Sequence, residues 1–246
     1  MLDPARYDAI TFDCYGTLVD WDTGVANAFG PWAVKSRFAG TVADLIERFA
    51  RHQREKQTVR PALNYRDVIG QAFENAACDL GGFVSEEDQA VFGWSVGAWP
   101  CFPDTIDALR NLKTMGFHLG VVSNVDNASF EDTHERMGGM IDTVVTAEMV
   151  GAYKPDLKMF EALFSALAAR GIARKRILHV AQSRFHDVAP SNELGLDVVW
   201  IDRRHGRPGK GVTIPSEAEP LIKFDSLEAM CDSLGRKAIL ETGSGE

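Results

Sequence analysis

Short apolar runs, each closed by a glycine or a polar residue, recur along the chain. Tyr7–Asp13 (YDAITFD), Phe117–Asn124 (FHLGVVSN), Thr143–Thr146, Arg176–Gln182 (RILHVAQ) and Asp197–Ile201 (DVVWI) are short and nearly continuous in apolar character. They read as strands buried on both faces of a sheet. Between them apolar residues return at helical spacing: Leu157, Phe160, Leu163, Phe164 and Leu167 form one stripe, with Asp156 behind Pro155 as its expected N-cap. Strands alternating with helices predict an α/β fold, a doubly wound parallel sheet of Rossmann type.

One interval departs from this rhythm. Roughly a hundred residues separate the first strand from the second, where a whole βαβ unit needs about 30. The excess is patterned as helices at 24–37, 41–57, 65–79 and 85–98, and it ends at Trp99-Pro100-Cys101-Phe102-Pro103, whose prolines stop any helix. The expected organisation is an α/β core of residues 1–21 and 100–246 with an all-helical cap inserted at 22–99. Ligands of open α/β sheets bind outside the carboxyl ends of the strands, which is where such a cap would sit. Trp21, Trp32, Trp94 and Trp99 fall in or beside the insert and read as packing residues, one or two of them lining the cleft.

Composition narrows the partners. With 45% apolar and 25% charged residues in 246, the chain can bury a core and is not disordered. A net charge of −9 argues against nucleic acid, which calls for a basic footprint. No run approaches the ~18 apolar residues of a membrane span. The N-terminal MLDPARYDAITF has no pattern of a secretory signal, and Cys14, Cys78, Cys101 and Cys231 are scattered without zinc or C-x-x-C spacing. A reducing cytoplasm is expected. An anionic substrate would need a local positive pocket in so acidic a protein.

The strand ends carry candidate chemistry. Asp13 closes the first strand, in Asp13-Cys14-Tyr15-Gly16-Thr17-Leu18. Gly16 allows a tight turn, and the Thr17 hydroxyl can orient a carboxylate. The second strand ends in Ser123-Asn124. Lys154 follows the third in Tyr153-Lys154-Pro155-Asp156, and the fourth ends in Gln182-Ser183 with Asp187 just beyond. A parallel sheet gathers these ends on one edge. Gly206-Arg207-Pro208-Gly209-Lys210-Gly211 is basic and glycine-rich but lacks the order of a phosphate-binding loop, so a mobile loop is expected there.

The succession D-x-Y-G-T-L, S-N, K-P-D and Q-S-x-x-x-D resembles the haloacid dehalogenase superfamily over nearly the whole chain, and its (S)-2-haloacid dehalogenase branch in particular. The phosphatase branch has a second acid two residues after the nucleophile and usually another at the end of the fourth strand. Here those positions hold Tyr15 and Gln182. Magnesium prefers carboxylate oxygens, so no metal or other cofactor is expected, and displacement at carbon fits better than phosphoryl transfer.

The resemblance implies Asp13 as nucleophile, Thr17 and Lys154 as its supports, and Asp187 as partner of Lys154 and of the hydrolytic water. The small anionic substrate would be held by Ser123, Ser183 and the Cys14–Tyr15 and Asn124 turns. The halide cradle of the family uses a cap arginine, an asparagine and an aromatic ring. Asn124 matches the second, and Arg51 is the expected cap arginine, with Arg54 next. The aromatic position holds His186, which beside Asp187 can remain charged near neutral pH and add a donor for the halide, or else packs beside the fourth strand and stabilises Asp187. Arg184 stands where the family often has a neutral amide, and Phe160 where it often has tyrosine. A homodimer is implied. A phosphatase with a weakened metal site, or a hydrolase of another small 2-substituted acid such as azetidine-2-carboxylate, is the alternative.

Overall fold

The structure, a computed structural model, describes residues 2–59, 62–205 and 216–242, with side chains through residue 235. The Gly206–Gly211 segment lies outside these residues. Six strands form one parallel sheet: β1 (Ala9–Phe12), β2 (His118–Ser123), β3 (Thr143–Thr146), β4 (Ile177–Ala181), β5 (Asp197–Ile201) and β6 (Ile222–Phe224), in the order β3-β2-β1-β4-β5-β6. Five were expected from the sequence. β6 was not, because Ile-Lys-Phe at a sheet edge is too short to show a period. All four residues of β1 are buried, as a central strand covered on both faces requires.

Between β1 and β2 run α1 (Trp21–Lys35), α2 (Val42–Gln57), α3 (Tyr65–Cys78) and α4 (Glu86–Trp94). Their starts are set by Asp20, Thr41, Asn64 and Ser85, whose side chains each accept a first-turn amide. Each such cap contributes about 1 kcal/mol. The helices share an aromatic centre: Phe29 stacks on Phe92 with ring centroids 4.7 Å apart and lies 4.8 Å from Phe73 and 5.5 Å from Phe49. Trp32 stands edge-on to Phe73, and Trp21 packs between Phe49 and Trp99. Trp94 is different: it is 65% exposed, with the Arg66 guanidinium 3.4 Å from its ring centroid.

The remaining helices are α5 (Thr105–Thr114), α6 (Asn127–Arg136), α7 (Ala147–Val150), α8 (Lys158–Ala168), α9 (Ala189–Glu193) and α10 (Leu227–Thr242). Asp156 accepts from the Lys158 amide at 3.0 Å, one turn position ahead of the regular part of α8. Polar ties join the helical insert to the sheet. Arg204 after β5 pairs with Asp22 of α1, and the Tyr153 hydroxyl donates to the Leu63 carbonyl at 2.7 Å. Among the described residues no helix is long and apolar enough to cross a membrane.

Candidate active site

Because β2, β1 and β4 are parallel neighbours, the residues at their carboxyl ends meet on one edge of the sheet. The Asp13 amide extends the ladder by donating to the Val180 carbonyl at 3.1 Å. The chain then turns back at Gly16, whose φ of +97° lies where only glycine is unstrained. This turn brings the Thr17 hydroxyl to Asp13 Oδ2 at 2.8 Å. Thr17 Oγ1 accepts from the Gln182 amide at 2.9 Å, so its own proton is directed at the carboxylate.

Lys154 completes the arrangement. Its ammonium donates to Asp13 Oδ1 at 2.7 Å, to Asp187 Oδ1 at 2.7 Å and to the Val122 carbonyl at 2.9 Å, so all three of its hydrogens are used. The lysine is 2% exposed and Asp13 7%. Burial acts against the ammonium, but the two carboxylates outweigh it and raise the Lys154 pKa. Burial, with Asp187 beside it, pushes the Asp13 carboxyl above its ordinary value, and Lys154 and Thr17 offset only part of this. Burial acts upward on Asp187 too, yet Lys154 and His179 outweigh it and hold that carboxyl low. The cluster therefore presents one charged lysine shared between a nucleophile candidate and a second, firmly ionised acid.

These groups open onto a cavity of about 140 Å³ between the strand ends and helices α1–α3. That is room for roughly four or five waters, the scale of a short organic acid. Ser123, Asn124, Ser183, Tyr15 and His186 also line it, as expected. Ser123 Oγ is buried without a hydrogen-bond partner among the described residues, a donor waiting for a ligand. Asn124 is tied to the Lys154 peptide at both ends: its Oδ1 accepts from the Lys154 amide at 2.6 Å, and its Nδ2 donates to the Lys154 carbonyl at 3.1 Å. Its first duty is thus to hold the lysine, with one amide hydrogen left over. Tyr15 turns its hydroxyl away, to Thr133 Oγ1 at 2.8 Å.

The Cys14 side chain does not line the cavity; it is fully buried in the core, where burial raises the thiol pKa well up, which leaves that turn only its backbone to offer a substrate. Two expectations change. Arg51 is exposed on the outside of α2 and pairs with Asp79, together with Arg48 and His52. The cavity face of α2 is Ala50, Gln53, Arg54 and Gln57, an i, i+3, i+4, i+7 stripe that includes Arg54 and leaves Arg51 about 110° from its middle. His186 is not a cation: burial, then Lys154 and Arg54, push its pKa down to about 4 against the pull of Asp187. It is a neutral ring at pH 7, with Nδ1 3.2 Å from Ser183 Oγ.

The donor set is unsuited to a divalent cation. Tyr15 and Gln182 stand where further acids would be needed, and the two acids at the strand ends, Asp13 and Asp187, both hold Lys154. Sequence reading missed His179, which lies inside β4 and hydrogen-bonds Asp187 at 3.1 Å. An ionisable residue within an otherwise apolar strand was the available signal.

Residues 7–181 match the family model of haloacid dehalogenase-like hydrolases, well over half of the chain. The chain belongs to that family. Within it, the chain is 28% identical to an (S)-2-haloacid dehalogenase of Pseudomonas putida, over 80% of this chain and 85% of that protein. It is 26% identical to haloacetate dehalogenase H-2 of a Moraxella strain, over 80% and 87%. The fold superposes on L-2-haloacid dehalogenase from Xanthobacter autotrophicus with a TM-score of 0.78 at 18% identity, covering 93% of this chain and 98% of the other.

Proposed function

We propose that this protein hydrolyses short 2-haloalkanoic acids to 2-hydroxy acids with inversion, through an ester on Asp13 and without a metal. The observation that carries this reading is the Asp13 carboxylate at the cavity, clasped by Lys154 and Thr17, with Tyr15 and Gln182 in place of further acids. The names borne by its relatives support it.

In the first step an Asp13 oxygen attacks the substrate α-carbon opposite the halogen. The C–O bond forms as the C–halogen bond breaks, and the halide leaves with the electron pair, needing no proton. Ser123 Oγ and the backbone turns after Asp13 and Ser123 hold the substrate carboxylate; Arg54 and the remaining Asn124 amide hydrogen face the halide. In the second step water attacks the ester carbonyl. Lys154 and Thr17 each donate to a different Asp13 oxygen, so whichever oxygen is esterified, the other keeps a donor for its developing charge. Asp187 receives a proton from the water.

The test is halide release from chloro-, bromo- and fluoroacetate and from both 2-chloropropionate enantiomers in the presence of EDTA. Release undiminished by EDTA, with (R)-lactate from the (S)-enantiomer, is expected. Phosphate release dependent on Mg²⁺, with no halide from any acid, would refute the reading. Arg54→Leu is expected to lower kcat/KM at least about tenfold, the scale of a lost charged hydrogen bond, while Arg51→Leu stays within about twofold; the reverse order would return the role to Arg51.

We propose also that residues 22–99 act as a cap on a core of 1–21 and 100–246, and that the enzyme works as a cytoplasmic homodimer. Four unpaired cysteines support a reducing compartment. Sedimentation equilibrium checks the dimer: a monomer mass sinks it.

A further inference from the structure

We propose that Thr11 and His179 form a buried positioning pair that aims Asp187 at the hydrolytic water, so that His179 serves breakdown of the Asp13 ester and not its formation. This rests on the dehalogenase reading above. Thr11 of β1 and His179 of β4 are register partners across the sheet, and both are fully buried. Thr11 Oγ1 lies 3.0 Å from His179 Nδ1, and His179 Nε2 lies 3.1 Å from Asp187 Oδ1. The Phe160 ring closes on the imidazole edge-on, with centroids 5.4 Å apart. A histidine inside an apolar strand is tolerated only when both nitrogens find partners, and here one partner is an acid at the cavity. Asp187 accepts only, so Nε2 carries the hydrogen, and Nδ1 is left to the Thr11 hydroxyl, which can donate or accept.

The consequence lies at the other carboxylate oxygen. Lys154 and His179 both bind Oδ1, and Oδ2 is buried with no partner among the described residues. A single donor would let the carboxylate rotate and exchange its oxygens. A second donor on the same oxygen, from a different direction, fixes Oδ2 as the atom that meets water. Neither the attack of Asp13 on carbon nor the departure of halide touches this pair. In the hydrolytic step water adds to Asp13 Cγ and gives one proton to Asp187 Oδ2. The bond from Cγ to the substrate oxygen then breaks, and that oxygen takes the proton from Asp187. The second water proton passes to solvent as Asp13 returns to its carboxylate.

Rapid-mixing halide release and intact-protein mass on (S)-2-chloropropionate separate the two steps in the full-length protein. His179→Leu is expected to keep a first halide burst of one per site with a rate within about threefold of wild type. Its steady-state turnover is expected to fall on the order of tenfold to a hundredfold, the scale of a hydrogen bond to a charged group. The Asp13 ester should then accumulate as added mass. His179→Gln, which can place an amide nitrogen near the Nε2 position, should recover most of the turnover. Thr11→Val, nearly isosteric, should show the same accumulation to a smaller degree, and decides the matter if His179→Leu does not fold. Burst and turnover falling together, unchanged turnover, or no ester in Thr11→Val when it alone folds would each overturn the proposal. A wild-type protein that releases no halide from any of these 2-haloacids overturns the dehalogenase reading, and this pair's role with it, and is told apart by that missing product.

Discussion

Asp13→Asn is expected to reduce halide release from 2-haloacids by at least about a thousandfold, because the attacking carboxylate is replaced by an amide oxygen of little nucleophilicity. The variant should fold, since Lys154 retains Asp187 and the Val122 carbonyl as acceptors. Isotope labelling gives the same residue a second test. In a single turnover in H₂¹⁸O the label should enter Asp13 and leave the 2-hydroxy acid unlabelled, because the product's new oxygen comes from the carboxylate. Label in the hydroxy acid would instead mean direct attack by water. The pH profile follows from the same carboxyl. Burial raises its pKa above the ordinary carboxylate value, and Asp187 adds to this. The ionised fraction is therefore lost as pH falls through that raised value, and the acid limb of kcat/KM should lie above the 3.8 of a free aspartate.

Lys154→Met is expected to be nearly as damaging, for a different reason. Methionine fills much of the same space and removes the charge, which leaves Asp13 Oδ1 and Asp187 Oδ1 facing each other without the ammonium that binds both. Two adjacent buried carboxylates cannot both stay ionised. Asp187 keeps its His179 donor, so Asp13 is the one that takes up a proton, and the nucleophile is lost at neutral pH. Turnover should fall by about a thousandfold or more, with the acid limb moved to higher pH. Removing one partner of a buried ion pair also costs about 3–5 kcal/mol of stability, which thermal unfolding would register. Lys154→Arg should recover little, because a planar guanidinium cannot direct three hydrogens as the ammonium does. A Lys154→Met enzyme with the turnover and acid limb of the wild type would remove Lys154 from the mechanism.

Local pattern was enough for much of this molecule. Five strands, the four helices of the insert, and Asp13, Ser123, Lys154 and Asp187 at strand ends were legible because parallel strands buried on both faces are continuous apolar runs. The turn after each run then stands out as polar. Tyr15 and Gln182 were equally legible, and the proposed displacement at carbon without a metal rests on them. Arg54 shows where pattern reading failed. The resemblance called for a cap arginine, but whether Arg51 or Arg54 faced the strand ends depended on the rotation of the helix, set by Leu45, Phe49 and Ala50 packing inward.

By itself, then, the sequence determined five of the six strands, the helical insert and the acids and lysine at one edge, since each follows from local periodicity and from the order of elements. Tertiary structure alone decided three things: that Arg54 and not Arg51 faces the cavity, that His186 is neutral, and that His179 reaches Asp187 while Thr11 holds its far side. The reason is physical. Hydrogen bonds and pKa shifts depend on distances of a few ångströms between residues far apart in the chain and on how much water is excluded around them, and neither quantity exists until the strands are in register.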